Sequence, residues 1–441
     1  MDEGRAGEFP RVTGDGHRVD DASGQAGQLD LFGMPVVVTG AANGADGTAS
    51  GARRSGSAIS ASVSAAQHTA PESTVPGVAT LWQDEETPPA LADEPASAPA
   101  TPPKKRRTRV VFAVDPSPEV LEVANALPPQ VHLGTSTWSF PGWKGIVYGD
   151  DYSNSKLSRD GLSAYGAHPL LRTVSIDRSF YAPLTITDYL RYAQQVPDHF
   201  RFIVKAPALV TDATVRAERG EPVSLNPCFL NAQLAIDEFV RPCLDGLGAK
   251  AGSLVFQFSP LPDQMLAALA GFIERLGEFL AALPALPDGT SYAVEIRDAC
   301  LLTPRFIRTL KAAGVRYCVG IHARMPDPLR QAAALALLDG DEPAGPLIVR
   351  WSLHGGFRYE QAKAKYEPFD RLVDEDPATR IALAELAARY AFAGQPVVIA
   401  VNNKAEGSAP LTCVKLGRAI ADAYARISEE SAPGKADEPA G

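Results

Sequence analysis

The sequence predicts an α/β fold: a closed (β/α)8 barrel of the TIM type behind a long disordered N-terminal tail. Three observations predict it. Eight short apolar runs rich in β-branched residues follow one another between Val131 and Val401, as strands covered on both faces should. Helix-patterned segments separate them, and eight strand-helix units over roughly 300 residues is the count of such a barrel. The turn after the first run, GTSTWSFPGW (134–143), is bulky and aromatic. An open doubly wound sheet, the competing fold, carries a Gly-rich phosphate turn at that place.

Residues 1–125 read as tail. Stretches such as SGSAISASVSAAQ (55–67) and ETPPALADEPASAPATPP (86–103) show no helical or strand period. They carry too little apolar surface to offset the entropy of ordering. Two features interrupt them, QLDLFGMPVVV (28–38) and the basic run KKRR (104–107). The barrel is expected over 126–428, with 429–441 again disordered.

The expected strands are VHLGT (131–135), RTVSI (172–176), FRFIVK (200–205), SLVFQF (253–258), YAVEI (292–296), VRYCVG (315–320), LIVRW (347–351) and PVVIAV (396–401). Among the helices, TITDYLRYAQQV (185–196) opens on Thr185 three residues before Asp188, a capping-box variant. FLNAQLAIDEFVRPCL (229–244) follows the third strand. DQMLAALAGFIERLGEFLAAL (263–283) sets Leu266, Leu269, Ile273, Leu276 and Leu280 on one face. TPRFIRTLKAAG (303–314) has Pro near its start and Gly at its end. TRIALAELAARYAFAG (379–394) and LTCVKLGRAIADAYARI (411–427) cover the last two strands.

Composition narrows the function classes. The 441 residues are 45% hydrophobic and 21% charged, enough to bury a core. No run of about 18 apolar residues predicts a membrane-spanning helix, and the acidic start MDEGRAGEFP does not read as a signal peptide. Five irregularly spaced cysteines argue against a disulfide framework and for a reducing, cytoplasmic setting. The net charge of -10 is uneven: residues 1–125 hold 17 acids and 10 bases (net -7), leaving 35 acids and 32 bases (net -3) elsewhere. The expected barrel is therefore close to neutral, and a local basic face remains available for nucleic acid.

In such barrels chemistry sits at the carboxy-terminal ends of the strands. Read in order, those ends deliver Thr135, Ser136 and Trp138; Asp177 and Tyr181; Lys205; Gln257; Glu295 and Arg297; His322; Arg350 and His354; Asn402 and Asn403. A charge inside a run such as YAVEIR is costly to bury alone, so Glu295 should face the lumen and pair with Lys205 or Arg350. One reading is a satisfied ion-pair network closing the barrel mouth. The other is a site for an anionic or polyhydroxy ligand, with Lys205, Arg297 and Arg350 binding the anion and Glu295 or His354 moving a proton. His322, His354 and Glu295 are the set a divalent metal would use, but no HxH or HExxH spacing supports it, and no metal ligand is assigned. Trp138, Phe140, Trp143 and Tyr148 crowd the first rim loop, either as a stacking platform or as a hydrophobic plug.

GTSTWSFPGWKGIVY (134–148), SIDRSFYAPLT (175–185), FRFIVKAP (200–207), LVFQFSP (254–260), VEIR (294–297) and VNNKAEGSAP (401–410) together resemble the YecE-like family, domain of unknown function 72. The resemblance spans about 131–427 and implies an eight-stranded β/α barrel, in agreement with the strand count. It carries no assigned reaction. Position by position it points to Trp138, Tyr181, Lys205, Gln257, Glu295, Arg297 and Asn402. Ser175 and Asp177 stand where relatives often have Glu and Asn, and Asp298, Ala299, Cys300 and Leu301 follow Arg297 where relatives often follow that Arg with a His and a Trp.

In the tail, QLDLF (28–32) resembles the pentapeptide by which bacterial proteins dock on the replicative DNA sliding clamp. Gln28 would make directional hydrogen bonds, Leu29 and Asp30 would shape an extended approach, and Leu31 and Phe32 would fill an apolar pocket. Three functions remain open at this point. They are a DNA-metabolism accessory protein tethered to the clamp, a small-molecule enzyme on a sugar or sugar phosphate (a hydrolase of phosphodiester or sugar-phosphate class), and a non-catalytic binding module.

Overall fold

A computed structural model describes residues 110–216, 222–355 and 357–431. Among the described residues ten strands form, and each of the eight runs singled out above is one of them. They are β1 (Val131–Thr135), β2 (Leu171–Ile176), β3 (Arg201–Lys205), β4 (Thr214–Arg216), β5 (Pro222–Leu225), β6 (Ala251–Gln257), β7 (Ser291–Glu295), β8 (Arg316–Ile321), β9 (Leu347–Trp351) and β10 (Val397–Val401). Eight close a parallel barrel in the order β1-β10-β9-β8-β7-β6-β3-β2, while β4 and β5 make a separate antiparallel hairpin.

Two apolar layers hold the barrel. Between staves and helices lies the main core, with Leu133, Phe202, Phe256, Tyr317 and Trp351 among its larger members. Inside the lumen a smaller layer is built from Ile203, Val255, Ala293, Cys318, Ile348, Val398 and Ala400. Side chains alternate along a strand, so the mostly apolar runs serve both layers at once. Helix ends follow local rules. Thr185 accepts the N–H of Asp188 and Asp188 accepts the N–H of Thr185, both at 3.2 Å. Thr303 likewise caps the helix Pro304–Ala312.

Residues 110–125, expected as tail, belong to the folded body among the described residues. Residues 110–114 are stitched to the loop after β1: Val114 N–H donates to Val147 O (3.0 Å) and Gly149 N–H to Phe112 O (2.9 Å). The helix Pro118–Ala126 buries Val123 and Ala124, and its Glu122 pairs with Arg418 of the last helix. Ser117 followed by Pro118 is an N-cap and first-turn proline, a start signal hidden in tail-like composition. At the other end the last helix runs Ala409–Glu430, two residues past 428. No described helix is long and apolar enough to cross a membrane.

One contact between staves is especially close. A Cβ placed on Gly134 of β1 would fall 1.8 Å from the Thr173 carbonyl oxygen of β2. Gly134→Ala is therefore expected to lower stability by more than about 2 kcal/mol, read as a lowered urea midpoint; an unchanged midpoint would refute the close approach.

Candidate functional site

The parity of the strands builds the site. Lys205, Gln257, Glu295 and Arg350 each lie two residues beyond a member of the lumen layer, namely Ile203, Val255, Ala293 and Ile348. Asn402 stands likewise two beyond Ala400. With a side-chain period of two, the same staves that seal the lumen raise a polar ring one pleat above it. Gly320 of β8 occupies the corresponding place after Cys318 and adds no side chain to the ring; a Cβ there would sit in contact with Glu295 Oε1 at 3.4 Å.

Arg350 is the centre of this ring. Its Nη1 donates to Gln257 Oε1 (2.7 Å) and Glu295 Oε2 (2.8 Å), and its Nη2 to Asp177 Oδ2 (3.0 Å). Arg297 Nη2 donates to Gln257 Oε1 (2.9 Å) and lies 3.0 Å from Glu295 Oε1. Ser175 Oγ donates to Asp177 Oδ1 (2.5 Å). Glu295, Arg350 and Arg297 are almost entirely buried. Burial alone would raise the Glu295 carboxyl, but Arg297, Arg350 and, more weakly, Lys205 outweigh it and hold it below its ordinary range. Glu295 is therefore a fixed anion at neutral pH. Lys205 itself lies 3.6 Å over the Phe180 ring.

Beside the ring opens a cleft lined by Ser136, Trp138, Ser175, Asp177, Arg178 and Asn402, among others. Trp138 packs edge-on against Tyr192 (5.2 Å between ring centres), and its buried Nε1 meets no acceptor among the described residues. The aromatic rim loop thus divides. Trp138 and Phe140 line the cleft, Phe140 also packing on Trp143 and Phe369, whereas Trp143 and Tyr148 are fully buried.

The remaining candidates disperse around the mouth. Asn402 Oδ1 accepts the N–H of Lys404, and Asn403 Oδ1 accepts from Trp143 Nε1 (3.2 Å) and Ala409 N–H (2.8 Å), so Asn403 fastens two loops. Tyr181 packs edge-on against Phe180. His354 stands on the loop after β9 with its ring against Phe357, and His322 accepts the N–H of Arg324. Among the described residues, no group of three or more His, Cys, Asp or Glu is placed to hold a metal ion. Gln28, Leu29, Asp30, Leu31 and Phe32 lie outside the described residues, as does KKRR.

Reading position alone missed several members. Ser175, Arg178 and Tyr192 of the cleft were not among the candidates. Asp298 accepts from Leu261 N–H and Arg324 Nη2 and so ties two rim loops. Parity is the signal that finds the inward set: any polar residue two beyond a lumen-layer residue.

Removing one partner of a buried ion network leaves uncompensated charge, which costs about 3–5 kcal/mol. Glu295→Gln is expected to lose stability of that order by urea denaturation. The stabilisation from Glu295 should be complete above its ordinary value of 4.5 and be lost as pH falls through the lower folded value. A variant as stable as the parent, with the same acid limb, would contradict the network.

The profile of the family described as "Protein of unknown function DUF72" matches residues 132–437. Among solved structures, the chain is similar to a DUF72 family protein from Enterococcus faecalis, with 16% identity over 66% of this chain and 95% of that one and a TM-score of 0.45. It is similar to another from Thermotoga maritima, with 18% identity over 68% and 99% and a TM-score of 0.43. A BexX/CysO complex from Amycolatopsis orientalis matches at 17% identity over 70% and 96%, with a TM-score of 0.32. Among curated proteins none matches. With the family profile covering most of the chain and the closed barrel beneath it, this protein belongs to the DUF72 family.

Proposed function

We propose that the barrel binds a small phosphate-bearing ligand of nucleotide or sugar-phosphate kind in the cleft of Trp138, Asp177 and Asn402. One observation carries the reading: the buried ring sets three cations, Lys205, Arg297 and Arg350, against two carboxylates, Asp177 and Glu295. Arg297 adds two buried donors, Nε and Nη1, with no acceptor among the described residues. Surplus positive charge in a low-dielectric mouth favours an anion. The Ser136 hydroxyl and the amide of Asn402 supply donors, Ser175 Oγ, whose proton goes to Asp177, accepts from a ligand hydroxyl, and Trp138 supplies an aromatic face for a base or sugar ring.

Binding ranks above proton transfer because Glu295 is locked between two guanidinium groups. A hydrolytic reading rests instead on Asp177, which belongs both to the ring and to the cleft wall. Thermal shift of the full chain with ribose 5-phosphate and nucleoside monophosphates tests binding, since a ligand of the folded state raises stability by mass action. Stabilisation is expected, with affinity about tenfold weaker in Asn402→Ala and Trp138→Ala. No stabilisation by any of these ligands would reject the proposal.

We further propose that Gln28–Phe32 dock on the bacterial DNA sliding clamp and bring the barrel to DNA, with KKRR adding contact to phosphates. The support is the pentapeptide itself, whose adjacent Leu31 and Phe32 suit an apolar pocket. In a pull-down with purified clamp, the intact chain should be retained, and the chain carrying Leu31→Ala and Phe32→Ala should not. Equal retention would remove the docking claim.

A further inference from the structure

At the opposite end of the strands, His132, His168, Arg172 and His199 line a cavity of about 330 Å³ open to solvent, with Pro129 and Pro169 in its walls. His132 and Arg172 are the second residues of β1 and β2, and His168 and His199 sit in the turns that feed β2 and β3. His168 is more than nine-tenths buried. Its Nδ1 accepts the N–H of Leu170 (3.3 Å), which puts the ring proton on Nε2. His132 is tied through its ring to the backbone of Arg172, and its buried Nδ1 meets no donor among the described residues. The cavity thus offers one imidazole donor, from His168, while the unpartnered nitrogen of His132 lies beneath its wall.

The charges around it are mostly positive. Arg172, Arg201 and His199 act on His132, and Arg172, Arg201, Lys250 and Asp198 act on His199. The cations are hydrogen-bonded largely to neutral carbonyls. Arg172 Nη2 donates to Ala124 O (3.2 Å), Arg201 Nη1 to Asp198 O (2.7 Å), and Lys250 Nζ to Ala193 O (2.8 Å) and Val196 O (2.7 Å). Asp198 is the carboxylate within this set; it is fully exposed and lies 3.5 Å from Lys250. Glu122, on the helix that Arg172 reaches, is paired with Arg418.

We propose that this cavity binds a small phosphate-class oxyanion, held by His168 and Arg172 against the imidazoles of His132 and His199 and taken up together with a proton. His168 Nε2 and the Arg172 guanidinium donate to the oxyanion, and His132, beneath the wall, adds positive charge once its unpartnered nitrogen is protonated. Burial pushes the imidazoles of His132 and His168 down to about 4, and lowers His199 as well. The empty cavity is therefore uncharged at its imidazoles near neutrality. An anion reverses the penalty, so binding must strengthen as pH falls. The same depressed imidazoles weaken the ligand-free fold as pH drops below their ordinary 6.5 towards 4, and the bound anion offsets that loss.

Imidazole proton resonances of the full-length protein test this, assigned by His132→Gln and His168→Asn. Inorganic phosphate and sulfate are the probes; sulfate keeps its charge across the range, so its pH dependence reports the protein's protons. Both should move the three histidine resonances, bind about tenfold more tightly near pH 6 than near pH 8, and bind about tenfold more weakly to Arg172→Gln. Asn402→Ala, at the opposite rim, should leave these shifts intact, which separates this site from the cleft. A nucleoside monophosphate binding here no better than phosphate would assign the free ion, and tighter binding a phosphorylated metabolite. Unmoved resonances, sulfate affinity equal at both pH values, or full binding by Arg172→Gln would overturn the proposal.

Discussion

The Arg350 guanidinium is the point on which the mouth of the barrel depends. It is wholly buried, yet it touches side chains from β6, β7 and the end of β2 while standing on β9. A charge in that position is tolerated only because planar, bidentate-capable donors meet acceptors on several sides. Each acceptor in turn is fixed by a second contact: Gln257 and Glu295 by Arg297, Asp177 by Ser175. The ring is therefore a single polar object spanning the barrel, and no member of it can change charge without leaving the others out of balance.

This arrangement gives the neighbouring cleft its character. Asp177 is shared between ring and cleft wall, so the cleft floor is oriented by Arg350 at one remove. Trp138 is held by Tyr192, and the Tyr148 hydroxyl donates to its carbonyl oxygen. The cleft is thus bounded largely by buried groups, with Arg178 exposed at its edge. Such preorganisation favours recognition of one small, polar shape. It also explains why the two readings of the aromatic loop both hold in part: Trp143 seals while Trp138 faces the cleft.

Much of the fold was legible in the sequence because doubly covered staves are nearly uniformly apolar, and runs such as LIVRW and VVIAV admit little else. The strand-end residues were legible by position. Their pairing was not, because strand order and pleat parity decide which of two adjacent polar residues faces inward. Gln257 and Glu295 are direct register partners across β6 and β7, a fact no local pattern encodes. The helix Pro118–Ala126 was missed because its start lies in Pro- and Ser-rich chain, and the helix Pro328–Asp339 because its alanines blur the apolar stripe. The hairpin β4–β5 exposes Val223 and Leu225, so it shows none of the inward-outward alternation that marks a half-buried strand.

The lumen layer of Ile203, Val255, Ala293, Cys318, Ile348, Val398 and Ala400 acts as a bulkhead. Burying a charge among seven apolar side chains is costly, so this level of the lumen favours neither an ion nor a charged side chain. The polar ring lies to one side of it and the cavity of His168 and Arg172 to the other, and each end is able to diverge in its ligand while that layer stays unchanged.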